Sequence, residues 1–129
     1  MFIGIDLGTS SIKTVLIDEN QKIIDTASKL IPLQNLKSGY YEQDPETWFN
    51  ATLSCLNNLR NNNNKEYAVV KSIGISGQMH GATLLDKNNE ILRPCILWND
   101  TRSVKECIEI ENKYPNFKKK SGNIAMPGF

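Results

Sequence analysis

Short apolar runs alternate with polar breaks at the start of the chain, in the manner of consecutive β-strands. Apolar and β-branched residues dominate 1–5, 12–17 and 23–31, and the polar stretches 6–11 and 18–22 separate them. Runs of this length between polar turns are typical of strands joined by hairpins. The pattern predicts a three-stranded antiparallel meander.

After a loop predicted over 32–41, the spacing of apolar side chains changes to that of a helix. Asp44 can cap the first free N–H groups, and Pro45 fits the first helical position because its missing N–H is no loss there. The helical spacing predicts a buried face made of Trp48, Ala51, Thr52, Cys55, Leu56 and Leu59. The four asparagines at 61–64 are expected to end this helix at an exposed loop tip.

The rest of the chain returns to strands and then to a second helix. Residues 69–76 are rich in apolar side chains, which predicts a strand buried on both faces, central in the sheet and beside the first strand. Further strands are expected at 82–85 and from Ile91, joined by the polar turn 86–90, and a helix over 104–113. Together these elements predict an α/β domain with a mixed sheet.

Composition argues against several classes of protein. With 129 residues, 40% of them hydrophobic and 22% charged, and a net charge of +1, the chain has the size of one domain and no charge excess that favours nucleic acid or an anionic membrane. No apolar run reaches the roughly 20 residues of a membrane span, so a cytoplasmic protein is expected. The three cysteines, Cys55, Cys95 and Cys107, lack metal-ligand spacing and are expected to be reduced packing residues.

The first candidate for chemistry is the polar turn between the first two strands. Gly8 lies between Asp6 and the hydroxyls of Thr9 and Ser10, which suits a tight turn whose backbone N–H groups face an anion such as a phosphate. Asp6 can hold a magnesium ion through water, because a hard cation prefers carboxylate oxygen. A simple polar hairpin tip is the alternative interpretation.

The second candidate is Gly-Gln-Met-His-Gly at 77–81, directly after the predicted buried strand. Open α/β sheets present ligand-binding residues at strand ends, and the flanking glycines are expected to let the backbone approach a ligand closely. Gln78 and His80 offer directional hydrogen bonds suited to vicinal hydroxyls, and Met79 offers an apolar surface for the carbon face of a sugar. A structural role for the lone histidine is the alternative.

A third polar cluster follows the last predicted strand. Asn99, Asp100 and Arg102 lie close together in the sequence and are candidates for the same kind of polar site. The alternative is a helix start capped by Asp100 or Thr101, with Trp98 packed in the core. The two interpretations are compatible with each other.

Several segments together resemble the N-terminal part of the xylulokinase group within the FGGY family of carbohydrate kinases. They occur in the family's order along nearly the whole chain, at 6–13, 42–46, 77–86, 93–102 and 121–129. The first of them alone also resembles heat-shock chaperones and actin-like proteins. The resemblance implies an incomplete actin-like, ribonuclease H-like domain, in which residues 1–129 form the N-terminal part of the sugar-binding domain without the ATP-binding C-terminal domain.

The resemblance also implies a reaction and residue roles. The reaction would use ATP and Mg²⁺ to phosphorylate D-xylulose on its terminal hydroxyl, giving D-xylulose 5-phosphate. Asp6 would act near the transferring phosphate and near the metal, which it would hold through water. The phosphate loop would comprise Gly8, Thr9, Ser10 and Lys13, and the sugar contacts would be Gln78, Met79, His80, Asn99, Asp100 and Arg102. The main catalytic aspartate is expected beyond residue 129, so the chain alone is expected to be inactive.

Three alternatives stay open. The chain could be a non-catalytic remnant, or a sugar- or phosphate-binding module that associates with a polypeptide supplying the missing C-terminal part. The kinase could act on another ketose or on a polyol. An ATP-binding fragment of a chaperone or actin-like protein is disfavoured by the segment 78–81, because such a protein needs no sugar site there.

Overall fold

The computed structural model describes residues 1–34 and 37–129. In chain order its elements are β1 (Phe2–Leu7), β2 (Ser11–Ile17), β3 (Ile23–Leu30), β4 (Glu42–Gln43), α1 (Pro45–Asn62), α2 (Asn64–Tyr67), β5 (Ser72–Gly77), β6 (Cys95–Ile96), α3 (Val104–Lys113) and α4 (Phe117–Ser121). Two compact units divide the chain, the first made of 1–32 and 45–78 and the second of 33–44 and 79–129. The predicted loop over 32–41 includes Asn35 and Leu36, which lie outside the described residues.

The first unit contains a four-stranded sheet in the order β3-β2-β1-β5. Strand β2 is antiparallel to both β1 and β3, which confirms the predicted meander. Strand β5 runs parallel to β1, with Leu7 opposite Gly77, which confirms a mixed sheet. The residues that follow β1 and β5 therefore emerge at the same edge of the sheet.

Helix α1 covers one face of this sheet. Alternate residues of β1 and β2 point toward α1 because successive side chains of a strand lie on opposite faces. The core that results contains Ile3, Ile5, Ile12, Leu16, Ile31, Ala51, Cys55 and Leu59. Burial raises the pKa of the Cys55 thiol, so this cysteine is a neutral packing residue as predicted.

The prediction for β5 was partly wrong. The strand lies beside β1 as expected, but it is an edge strand and all six of its residues are exposed. Ile73 and Ile75 are 52% and 72% exposed. Helix α1 packs against β2 and β3, on the far side of β1 from β5, so the apolar content of β5 does not lead to burial in this chain.

The asparagine run ends helix α1 as predicted, but a second short helix follows it in place of a loop tip. Helix α1 continues through Asn62, and α2 begins at Asn64. Between them, the side-chain amide of Asn63 donates a hydrogen bond of 2.7 Å to the Asp25 carboxylate on β3. This bond, with others from Thr26 and Asn62, lowers the pKa of Asp25. Asparagines at this position therefore tie the end of the helix to the sheet.

The second unit has little regular structure. Strands β4 and β6 pair over two residues each, and β6 is the part of the strand predicted from Ile91 that forms. The rest of that strand, and the one predicted at 82–85, are reduced to single bridges of Leu85 with Ile91 and of Ala82 with Ile96. Helix α3 spans the predicted residues, but its N-cap is Ser103, neither Asp100 nor Thr101. Within the described ranges, no helix is long and apolar enough to cross a membrane.

Candidate functional site

The candidate phosphate loop is the turn between β1 and β2 in the first unit. The Gly8 N–H donates to the Ser11 carbonyl at 3.0 Å, and a Cβ on Gly8 would lie 2.9 Å from that same oxygen. The Gly8 N–H thus closes the turn and does not face an anion as expected. The Ser10 carbonyl accepts a hydrogen bond from Ile31 N–H at 3.1 Å, which anchors the outer half of the turn to the residue after β3.

Asp6 and Lys13 form the charged part of this region. They lie directly opposite each other on β1 and β2, and residues opposite each other in antiparallel strands point to the same face. Both side chains are exposed and line a groove of about 870 Å³ that Thr26, Ser28 and Ser76 also line. The structure therefore brings together an acid and a base that the sequence places seven positions apart.

Gln78 belongs to the same region, which its sequence position alone did not reveal. Its backbone N–H donates to the Leu7 carbonyl at 2.7 Å, and its side-chain oxygen accepts a hydrogen bond of 3.1 Å from the Thr9 hydroxyl. A residue expected to contact a sugar is therefore in contact with the candidate phosphate loop. The signal that could have found this pair is the parallel pairing of β1 with β5, since it places the residues after both strands side by side.

The side chains of the loop suit a magnesium-bound phosphate, although the Gly8 N–H is engaged by the Ser11 carbonyl. Asp6 supplies one exposed carboxylate, and across residues 1–34 and 37–129 no three His, Cys, Asp or Glu side chains are grouped to hold a metal ion. Mg²⁺ usually keeps several waters and takes one or two carboxylates beside substrate phosphates, so a single carboxylate suits it. The hydroxyls of Thr9 and Ser10 are the hydrogen-bonding side chains of the turn.

The second unit holds a cluster of four charged side chains, Glu42, Arg93, Asp100 and Arg102, which we call the charge cluster. Glu42 accepts hydrogen bonds from Arg93 and, at 2.7 Å, from Arg102. The Arg102 guanidinium also binds Asp100 through two bonds of 2.9 and 2.7 Å. Both carboxylates are buried, so the pairing compensates their loss of water.

Asp100 has little capacity left for a ligand. One carboxylate oxygen accepts from the backbone N–H and Nε of Arg102, and the other accepts from Arg102 Nη2 and, at 2.8 Å, from Tyr41 N–H. Burial alone would raise the pKa of Asp100, but these hydrogen bonds outweigh burial and the pKa lies below its usual value. Asp100 is only 1% exposed, and its geometry is that of a residue that holds the segment around it.

Asn99 and Trp98 are placed differently. The Asn99 Oδ1 atom is buried, and no described residue donates a hydrogen bond to it. Because buried polar atoms are normally hydrogen-bonded, the Asn99 Oδ1 atom is suited to accept a hydrogen bond from a group outside the described residues. Trp98 is 46% exposed, which contradicts the alternative that it packs in the core.

Met79 and His80 are exposed at the start of the second unit. His80 has a φ of +63° and stacks on Phe129 with ring centroids 3.9 Å apart. A Cβ on Gly81 would lie 2.9 Å from the Cys95 sulfur, so this glycine allows close packing within the protein. Packing against Cys95 therefore explains why residue 81 is a glycine, and the predicted close approach of a ligand is not required.

Comparison with known proteins adds the family. The model of the N-terminal domain of the FGGY family of carbohydrate kinases matches residues 1–129. The chain belongs to the FGGY family. Its structural neighbours in that family are sugar kinases with an actin-like fold, which agrees with the predicted α/β class.

Individual FGGY proteins show how far the likeness extends. The chain is 43% identical to a xylulose kinase of Klebsiella pneumoniae over 129 residues, which is all of this chain and 26% of that protein. A crystal structure of a xyloylose kinase from Brucella ovis matches 98% of the chain and 26% of its own length, with a TM-score of 0.92 and 46% identity. The chain thus spans about a quarter of the length of these relatives.

A third FGGY kinase shares the fold but has a different name. The crystal structure of Plasmodium falciparum glycerol kinase with ADP matches all of the chain and 27% of its own length, with a TM-score of 0.91 and 27% identity. The fold alone therefore does not decide the substrate, and the substrate has to be argued from individual residues.

Proposed function

We propose that this chain is the N-terminal part of the sugar-binding domain of a kinase that phosphorylates D-xylulose with ATP and Mg²⁺, giving D-xylulose 5-phosphate. The observation that carries the proposal is the 43% identity to a xylulose kinase along all 129 residues of the chain. Because the reaction consumes ATP, the proposal places the protein in the cytoplasm.

The first unit would serve the nucleotide. Phosphoryl transfer depends on positioned phosphates, neutralised charge and an oriented hydroxyl, and ATP with Mg²⁺ supplies the phosphoryl group and part of that neutralisation when bound. Thr9 and Ser10 would donate their hydroxyl hydrogens to phosphate oxygens, with Gly8 keeping the turn tight. Asp6 would hold the metal's water ligands, and Lys13, opposite Asp6, would lower the negative charge of the phosphates.

The second unit would serve the sugar. Met79 would cover the carbon face of the ketose, while His80 and the buried Asn99 Oδ1 would form hydrogen bonds to its hydroxyls. Asp100 and Arg102, which bind each other, would act by holding Asn99 in place. Gln78 would act on the phosphate loop through Thr9 in addition to any contact with the sugar.

The remaining groups of the reaction would come from other parts of the polypeptide. A general base for the sugar hydroxyl and a surface for the adenosine are the two parts that the chain's described residues do not supply under this proposal. The 129-residue chain alone is therefore expected to bind weakly and to turn over no substrate.

The test is a phosphorylation assay on two proteins, the 129-residue chain and the product of the complete reading frame that contains it, called here the complete product. We expect ADP release that depends on D-xylulose in the complete product only. D-Ribulose and glycerol serve as comparison substrates. D-Ribulose is an epimer of D-xylulose, and glycerol appears in the name of the related Plasmodium falciparum glycerol kinase. Turnover of either in preference to D-xylulose would refute the assignment, and turnover of none would favour a non-catalytic binding module.

A further inference from the structure

The segment 126–129 has no role in the site described so far, yet it ends in a specific contact. The ring of Phe129 stacks on the imidazole of His80, with centroids 3.9 Å apart and an angle of 19° between the planes. Stacked aromatic pairs contribute about 0.5–1.5 kcal/mol beyond the area that they bury. Both residues belong to the second unit, 49 positions apart in the chain.

The backbone of His80 makes this contact informative. Its φ of +63° lies in the left-handed region, which is uncommon for residues other than glycine and costs free energy. Among the described residues the imidazole has no hydrogen-bond partner, and the side chain is exposed. The stack on Phe129 is therefore the interaction that restrains the orientation of the ring.

Gly128 is what allows Phe129 to reach His80. Its φ is +79°, and a Cβ at this position would lie 2.5 Å from the Trp98 carbonyl oxygen and 2.8 Å from that of Leu97. Only glycine fits so close to this backbone. The Phe129 N–H also donates to the Met126 carbonyl at 3.3 Å, which closes the turn.

From this geometry we infer that Phe129 is a positioning residue for His80. Both imidazole nitrogens form their hydrogen bonds in the plane of the ring, so a neighbour that fixes the plane also fixes the direction of those bonds. Phe129 stacks on one face of the ring, and the His80 side chain as a whole stays exposed. Insofar as His80 meets a sugar hydroxyl, the inference rests on the proposed function.

The stack itself can be tested without any substrate. His80 is the only histidine of the chain, so its two ring C–H signals in a proton NMR spectrum are unambiguous. We expect the ring current of Phe129 to displace them, and Phe129→Leu to return them toward the values of an unstructured peptide. Phe129→Tyr should keep the displacement. Gly128→Ala should abolish it although the phenyl ring remains, because the added Cβ meets the backbone of residues 97 and 98.

Phe49→Leu is the matched control. Phe49 is 60% exposed on α1 in the first unit and Phe129 is 57% exposed, so the two substitutions remove rings of similar exposure. The control should leave the His80 signals unchanged. Unchanged signals in Phe129→Leu, with circular dichroism equal to that of the unsubstituted chain, would overturn the inference.

Kinetics of the complete product test the functional part. Loss of the stack should raise the KM for D-xylulose about two- to twelvefold, the fold-change that corresponds to the stacking energy, and leave the KM for ATP unchanged. Phe129→Tyr should restore the KM, which a purely structural loss would not predict. An unchanged KM for D-xylulose in Phe129→Leu would overturn the positioning role alone. Absence of D-xylulose turnover in the unsubstituted enzyme would instead count against the proposed function. In that case the NMR spectrum still decides whether Phe129 stacks on His80.

Discussion

The two units hold their candidate site residues by different forces. In the first unit, backbone hydrogen bonds of β1 and β2 hold the candidate phosphate loop, the strands contribute to an apolar core, and the charged side chains of Asp6 and Lys13 lie exposed. In the second unit, regular strands span only two residues each, and the two carboxylates of the charge cluster are buried. Stability in the first unit should therefore depend on apolar volume, and stability in the second on the pairing and protonation of charges.

The largest effect is expected for Asp100→Ala in the second unit. Removing this buried carboxylate deprives the Tyr41 N–H of its acceptor and Arg102 of two of its bonds, and breaking a buried pair costs about 3–5 kcal/mol. The chain has two tryptophans, Trp48 in the first unit and Trp98 in the second, so urea unfolding followed by Trp98 fluorescence in a Trp48→Phe background measures the second unit. Glu109→Ala on the exposed side of α3 is the control and should change little. A loss no greater than that of the control would mean that the charge cluster does not hold this unit together.

A comparable loss in the first unit should need no charge at all. Leu59 is fully buried between α1 and the sheet, and Leu59→Ala removes apolar volume worth about 2–5 kcal/mol. The measurement is urea unfolding followed by Trp48 fluorescence in a Trp98→Phe background. Leu53 on the same helix is 42% exposed, so Leu53→Ala should cost far less. Equal losses for the two leucines would contradict the assignment of the core.

Acid should distinguish the units further. The pKa of Asp100 is lower in the folded protein than in the unfolded chain, so its ionised form contributes stability that is present above about pH 4 and is lost as the pH falls through the folded pKa. Asp100→Asn should be less stable than the unsubstituted chain at neutral pH and should lose less on acidification. Asp25, whose pKa is also lowered, contributes equally to both proteins and cancels in the difference. An identical acid loss in Asp100→Asn would refute this source of pH dependence.

The smallest effect concerns the bond between Thr9 and Gln78. A single hydrogen bond contributes about 0.5–1.5 kcal/mol, so the double-mutant cycle of Thr9→Val and Gln78→Leu should show a coupling of that size in the unfolding free energy. Thr9→Val combined with Asn58→Ala, an exposed substitution on α1, should be additive. Additivity in both cycles would show that Gln78 does not support the phosphate loop.

The sequence predicted the first unit better than the second for a physical reason. Hairpins are local, so the alternation of apolar runs and polar turns was enough to predict β1, β2 and β3 and the helix that packs on them. The burial of β5 was predicted wrongly because burial depends on what covers a strand, and the composition of Ile73 and Ile75 does not contain that information.

The second unit depends on contacts between distant positions. Glu42 and Arg102 are 60 positions apart, and nothing in either local sequence pairs them. Residue type alone marked Asn99, Asp100 and Arg102 as a polar cluster, but it could not tell a carboxylate whose oxygens are all engaged, as in Asp100, from one that is free to meet a ligand. Their contacts with a sugar remain predictions.

The most direct test of the account compares Asp6→Asn and His80→Ala in the complete product, assayed for phosphate transfer from ATP to D-xylulose. If the first unit serves the nucleotide and the second the sugar, Asp6→Asn should lower kcat strongly with little change in the KM for D-xylulose. His80→Ala should instead raise that KM with a smaller effect on kcat. The reverse pattern, or transfer by the unsubstituted enzyme to glycerol in preference to D-xylulose, would contradict the account.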